Sequence, residues 1–162
     1  RRGRAVGDTR RRAVGHARPG AARGFPGVPR IKKLGHLNRD IARVLATMGH
    51  TDRLVIADCG LPVPAGVPCI DLSLQLGVPS FMDVLDTVLA DFQVERAVFA
   101  HEAQQANAAV AARAGALAEQ GVAVEFVGHA DLKSLTQGAH VIIRTGEATP
   151  YANVVLYSGV IF

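Results

Sequence analysis

Gly49-His50-Thr51-Asp52-Arg53-Leu54-Val55-Ile56-Ala57-Asp58-Cys59-Gly60-Leu61-Pro62-Val63-Pro64 decides the fold. Gly49 and His50 end a helical pattern, because a glycine after the last periodic residue is a stop signal. Residues 54–57 are an unbroken apolar run, too short for a helix and read as a buried strand. Asp58 stands where that strand stops, and Pro62 and Pro64 bar a helix in the segment that follows. Two ionisable side chains, His50 and Asp58, thus flank one short buried element. Strand ends of this kind are where α/β proteins build sites.

Working outward, the same alternation continues. Upstream, Asn38 reads as an N-cap for a helix whose apolar residues Ile41, Val44, Leu45 and Met48 recur at three- and four-residue spacing. Downstream, residues 69–72 form a brief strand and Gly77-Val78-Pro79 breaks the chain. Ser80 caps a second helix carrying Phe81, Val84, Leu85, Val88 and Leu89. A strand over 94–100, an Ala-rich helix over 103–120 and a strand over 122–127 follow. A short helix over 129–137 and strands over 141–144 and 153–157 complete the pattern. Strands alternating with helices predict a single α/β domain, with a mostly parallel sheet and helices on both faces. The apolar ending Val160-Ile161-Phe162 is expected to pack in the core or against another subunit.

Composition bounds the rest. With 162 residues and 49% hydrophobic content the chain can bury one proper core. Trp is absent, so that core is built from Val, Leu, Ile and Ala. The formal charge of +4 is unevenly placed: residues 1–33 hold 11 of the 18 Lys and Arg against one acid, Asp8. Residues 34–162 hold the other seven against thirteen acids, so the globular part is acidic. A nucleic-acid partner is therefore not expected of it. The tail, residues 1–31, is rich in Arg, Gly, Ala and Pro, buries too little apolar surface to order itself, and is expected to be disordered. An Arg cluster can bind phosphate or act as a targeting peptide, but the simpler reading is upstream sequence outside the folding unit. No apolar stretch reaches the ~18 residues of a membrane span. Cys59 and Cys69 show neither CxxC nor paired-His spacing and read as reduced thiols in a cytoplasmic protein.

Several motifs are missing. His101-Glu102 begins like a metalloprotease helix, but Gln105 stands where the second His is needed. There is no GxGxxG after a strand, no GxxxxGK[ST] and no GxSxG. Neither a metal nor a cofactor is implied, and the lack of a phosphate loop suits an unphosphorylated ligand.

The run 49–64, together with Thr145-Gly146-Glu147-Ala148-Thr149-Pro150-Tyr151-Ala152-Asn153, closely resembles the D-ribose pyranase (RbsD-like) family of sugar mutarotases. The likeness extends from about Lys32 to Phe162. It implies an enzyme that interconverts pyranose and furanose forms of D-ribose, assembled as a ring-shaped homo-oligomer, commonly a decamer. Histidine suits such proton exchange because its pKa lies near neutrality. By itself, His50 is an ordinary residue at a helix end that interacts with the dipole; the resemblance makes it the proton donor. Asp58 alone is a turn former bonding to its own backbone, and the resemblance assigns it to substrate binding. His129 opens a short helix and matches a sugar-contacting histidine of the family. Tyr151, Ala152 and Asn153 match its sugar-binding segment, where Asn and Tyr offer both donors and acceptors to vicinal hydroxyls. Asp52 and Asp71 are weaker candidates, and Arg144 and Glu147 are spaced to form an exposed ion pair of little consequence. The related L-fucose mutarotases are the nearest rival reading; a non-catalytic sugar-binding accessory of transport is another.

Overall fold

The chain divides into two units, Arg1–Ile31 and Lys32–Phe162. The computed structural model describes residues 38–162, so the expected disorder of residues 1–31 lies outside the described residues. In chain order the elements are α1 (Arg39–Thr47), β1 (Arg53–Ala57), β2 (Cys69–Asp71), α2 (Phe81–Leu89) and β3 (Val94–Ala100). They are followed by α3 (Ala103–Ala106), α4 (Ala108–Glu119), β4 (Ala123–Val127), α5 (His129–Thr136), β5 (Val141–Arg144) and β6 (Val154–Ser158).

Local chemistry sets the helix starts. Asn38 Oδ1 accepts from the backbone N–H groups of Asp40 and Ile41 at 2.9 and 3.0 Å. Ser80 Oγ accepts from Asp83 N at 3.1 Å while donating to its carboxylate at 2.7 Å. Both satisfy donors that a helix N-terminus leaves orphaned.

The six strands form one sheet in the order β2-β5-β1-β6-β3-β4. β1, β2 and β5 are mutually parallel, as are β3 and β4. β6 runs antiparallel between β1 and β3 and joins the two groups. This topology positions the site. Since β5 and β6 lie on opposite sides of β1, the connection 145–153 must cross over the C-terminal end of β1. It brings Tyr151 and Asn153 above Asp58.

β1 reads as a continuous apolar run because it is buried on both faces. Leu54 and Ile56 pack with α1, α2 and α4 through Ile41, Val44, Leu85, Val88 and Leu117. Val55 and Ala57 pack on the other face with Leu61 and with Leu132 of α5. With Ala103 of α3 in the first cluster as well, helices cover both faces, four against one. Among the described residues, no helix is long and apolar enough to cross a membrane.

One expected element needs correction. The single helix over 103–120 is interrupted at Asn107, whose φ of −145° and ψ of 86° are not helical. Its side chain caps the next helix, accepting from Val110 N at 3.3 Å, and its amide nitrogen donates to Thr149 Oγ1 and to the Pro150 carbonyl. Of the two places expected for the apolar C-terminus, the chain's own core is excluded: Ile161 and Phe162 are 89% and 101% exposed in the single chain.

Candidate active site

At the C-terminal edge of the sheet, Asp58 and Asn153 clasp each other across the β1–β6 pair. Asp58 N donates to Asn153 Oδ1 at 2.9 Å, and Asn153 Nδ2 donates to Asp58 Oδ2 at 2.7 Å. The other carboxylate oxygen accepts from Gly60 N at 2.9 Å. Asn153 is fully buried, so both ends of its amide are used and its orientation is fixed. A carboxylate offers about four acceptor positions, and two remain on Asp58 for ligand hydroxyls.

Beside this clasp, α5 delivers His129 at its first position. Gly128 supplies no side-chain cap; instead Glu102, just beyond β3, accepts His129 N with both oxygens at 3.1 Å. The Glu102 carboxyl is held below its usual range by its own backbone N–H and then by that of His129. The sequence hint of a metalloprotease helix at His101-Glu102 is thus replaced by a helix cap. The His129 ring stands edge-on to Tyr151, with centroids 5.2 Å apart at 84°. Its Nδ1 is buried without a partner among the described residues. A buried polar atom beside a cleft calls for an explanation, and a ligand hydroxyl would supply the missing hydrogen bond.

Asp58, Gly60, His129, Lys133, Pro150 and Tyr151 line a cleft of about 260 Å³. That is below the ~300 Å³ at which pockets begin to suit drug-sized ligands, and its walls carry an acid, an imidazole, an ammonium and a phenol. Such a cleft fits a small, polyhydroxylated molecule. Lys133 escaped the sequence reading, although its position one turn after His129 places both on one face of a helix.

The crossing loop is pinned at several points. Glu147 Oε1 accepts from Ala148 N and Thr149 N at 3.0 Å each, and Oε2 accepts from Phe81 N at the start of α2 at 3.2 Å. Burial pulls the Glu147 carboxyl up, but the N–H groups of Thr149, Phe81 and Ala148 outweigh it and hold it below the usual range. The expected Arg144–Glu147 pair does not form. Arg144 binds Asp71 across the β5–β2 pair instead, because residues 144 and 71 are register partners while 147 has turned into the loop. Asp71, its donor now identified, also accepts from Ser73 Oγ at 2.5 Å and lies far below the usual carboxylate range, first through Arg144. Thr145 Oγ1 donates to the Ala57 carbonyl at 2.8 Å, which fastens the loop to β1. A Cβ on Gly146 would sit 2.2 Å from the Val78 carbonyl oxygen, so no larger residue fits there. Tyr151 takes a positive φ of 59°, the strained left-handed region. The Ala152 side chain is buried in the core, which leaves only its backbone to face a ligand.

His50 lies elsewhere. It occupies the turn before β1, and its Nε2 contacts Glu95 Oε2 at 2.9 Å near the start of β3. Five residues of strand, about 16 Å at ~3.3 Å per residue, separate its edge of the sheet from Asp58. Within one chain, Asp58, His129, Tyr151 and Asn153 come together and His50 does not join them. Asp52 stays with His50 as a turn residue, accepting from Gly49 N at 2.7 Å. Among the described residues, no group of three or more His, Cys, Asp or Glu is placed to hold a metal ion. Cys59 and Cys69 are free thiols.

The chain has relatives among known proteins and solved structures. The model of the RbsD / FucU transport protein family matches residues 31–161. The D-ribose pyranase of Chromobacterium violaceum is 64% identical over 132 residues, 82% of this chain and all of that protein. That of Laribacter hongkongensis is 56% identical over the same extent. Bacillus subtilis RbsD, solved in complex with D-ribose, superposes with a TM-score of 0.78 at 45% identity, covering 82% of this chain and all of that one. The fucose mutarotase of Streptococcus pneumoniae, solved with L-fucose, shares the fold at a TM-score of 0.64 and 21% identity, over 78% of this chain and 95% of that one. With the sheet order, the crossing loop and the polar cleft in place, this full-length identity shows that the chain belongs to the RbsD/FucU family.

Proposed function

We propose that the protein is a D-ribose pyranase, a cofactor-free isomerase that interconverts the pyranose and furanose forms of D-ribose. The observation that carries this reading is the identity of 64% to a D-ribose pyranase over that protein's whole length. The 45% identity to an RbsD solved with D-ribose supports it, and the low identity to a fucose mutarotase favours ribose over L-fucose.

The reaction needs only proton movements. A base removes the proton of the anomeric hydroxyl while an acid protonates the ring oxygen, the ring C–O bond breaks, and the open aldehyde forms. Rotation about the chain then presents a different hydroxyl to the carbonyl, and the reverse transfers close the other ring. Asp58, His129, Tyr151, Asn153 and the backbone at Ala152 hold the hydroxyls, with Lys133 beside them. His50 exchanges the proton.

Because His50 lies at the opposite sheet edge, this role requires a second copy of the chain. Exposed apolar residues mark both edges: Leu74 and Leu76, 81% and 78% exposed, in a loop that shares a pocket with Cys59 and Gly146 at the Asp58 end, and Ile161 and Phe162 beyond β6 on the side of His50. A head-to-tail contact would cover both patches and bring His50 of one copy to the cleft of the next. Repetition of such a heterologous contact closes a ring, the homo-oligomer that the family resemblance implies, in the cytoplasm.

Saturation-transfer NMR on ribose tests the reading. The protein is expected to speed pyranose–furanose exchange and His50→Ala to abolish the enhancement with the fold retained. Calorimetric ribose binding with no enhancement by the wild type would instead make it a sugar-binding subunit.

A further inference from the structure

Three irregularities of the backbone converge on His50, and the sheet needs none of them. The first is Thr51, a β-branched residue at a φ of +69°. The left-handed region is unfavourable for such a residue, and strain of this kind persists where surrounding structure holds it. The turn is held by Asp52 N donating to the Gly49 carbonyl, and by Thr51 N and Ser158 N exchanging bonds with the Ser158 and Asp52 carbonyls.

The second is a bulge at Glu95. Val94 pairs with Ser158 and Arg96 with Tyr157, so β3 spends an extra residue against β6. The side chains confirm the break in alternation. Val94 and Ala97, three apart, share one core, while Arg96 lies over the Tyr157 ring on the other face, 3.6 Å from its centroid. Glu95 belongs to neither face, and a bulge re-aims its side chain toward His50.

The third is Gly159. A Cβ there would stand 3.1 Å from Glu95 Cβ and 3.3 Å from Glu95 N, so a side chain at the end of β6 would crowd the bulge and push it by a few tenths of an ångström.

Resting on the role of His50 proposed above, we infer that Glu95 is a positioning residue that fixes the tautomer and direction of the His50 imidazole. A carboxylate can only accept hydrogen bonds, so the 2.9 Å contact places the ring proton on Nε2. Nδ1, which has no hydrogen bond among the described residues, is then the nitrogen presented to the sugar. In neutral imidazole it is the base, and after taking the anomeric proton it is the acid. Stability is no reason for the arrangement. Both side chains are about half exposed, at 53% and 41%, and exposed pairs contribute little.

The test uses the full chain with 15N-labelled histidine, alongside Glu95→Gln and Glu95→Ala. Gln keeps the size and reach of Glu but offers donors as well as an acceptor, so packing survives and the tautomer lock does not. The wild type is expected to show His50 mainly as the Nε2–H tautomer, and both variants a clear rise in Nδ1–H. In ribose exchange, kcat is expected to fall about tenfold or more, a part of the 10²–10⁴ typical of a general acid–base group, with KM within about twofold. Wild-type tautomer populations in Glu95→Gln would overturn the assignment whatever the activity, as would a wild-type kcat in that variant. If the tautomer shifts in the variants while His50→Ala retains full exchange, Glu95 still orients the ring and it is the catalytic role of His50 that fails.

Discussion

The two ends of β1 solve different physical problems. At the C-terminal end, Asp58 and the fully buried Asn153 exchange two hydrogen bonds, and the loop above them is tied to β1, α2 and α4 through Thr145, Glu147 and Asn107. At the N-terminal end, His50 and Glu95 are half exposed and meet each other through a strained turn and a bulge. Apart from His129 Nδ1, the first end is built from hydrogen-bonded polar groups that are buried or partly so, which are rigid and costly to disturb. The second has little buried to lose and keeps its histidine accessible. Holding a sugar requires fixed donors and acceptors; exchanging its protons requires a group that reaches both ligand and water. The contrast predicts that mutations at one end affect both stability and activity, and at the other activity alone.

The largest effect should come from joining the two ends across copies. His50→Ala is expected to lose at least about 100-fold in ribose exchange, the lower end for an acid–base group, and Asp58→Ala to lose most of its activity through weakened sugar binding. Co-expressed as mixed oligomers, they should regain roughly a quarter of the wild-type sites, because each head-to-tail interface draws one residue from each neighbour. Mixed oligomers no more active than either parent would place both residues in one chain's site, or His50 outside it.

Next in size is a stability difference. Asn153→Ala leaves the Asp58 N–H and one carboxylate oxygen without partners, which costs about 1–3 kcal/mol per buried group. A urea midpoint well below that of the wild type is expected, together with a raised KM for ribose. His50→Ala, breaking only an exposed pair, should shift unfolding by less than ~1 kcal/mol. Equal losses in the two variants would erase the distinction between the edges. Tyr151→Phe is gentler still: the ring packed on His129 is kept, so the fold should hold and only the hydroxyl's share of binding be lost, about 0.5–1.5 kcal/mol, seen as a several-fold rise in KM.

How much of this the sequence told can be argued from particular residues. β1 and the caps at Asn38 and Ser80 were legible because periodicity and capping are local. The order of the sheet was not, since the central antiparallel placement of β6 depends on pairing with strands from distant parts of the chain. Asn107 lies inside the stretch read as one Ala-rich helix, and its bonds to Thr149, Pro150 and Val110 N, which accompany the break, include long-range contacts that no local pattern shows. Glu102 showed no local sign of capping a helix 27 residues later. The separation of His50 from Asp58 was written in the chain, however. An extended strand of five residues puts whatever flanks it on opposite edges of a sheet. Residues read as flanking one element were therefore bound to need either different ligands or two copies.

Glu147 offers the finest test of the rigid end, through pH. Its carboxylate accepts three backbone N–H bonds, and its folded pKa is lowered from the ordinary value of 4.5. A depressed pKa means that the ionised form is preferred by the native state, so the stabilisation is full above the unfolded pKa and is lost as pH falls through the folded one. Against Glu147→Gln, the wild type should be more stable by on the order of 1–2 kcal/mol at pH 7, as expected for hydrogen bonds to a charged group. That difference should hold steady down to about pH 5.5 and shrink below about 4.5. Every other ionisable group is common to both proteins and cancels from the comparison. A difference that stayed constant to pH 3 would mean that the loop is held by the shape of the Glu147 side chain rather than by its charge. The rigid edge would then owe nothing to ionisation, and its contrast with the edge of His50 would rest on burial alone.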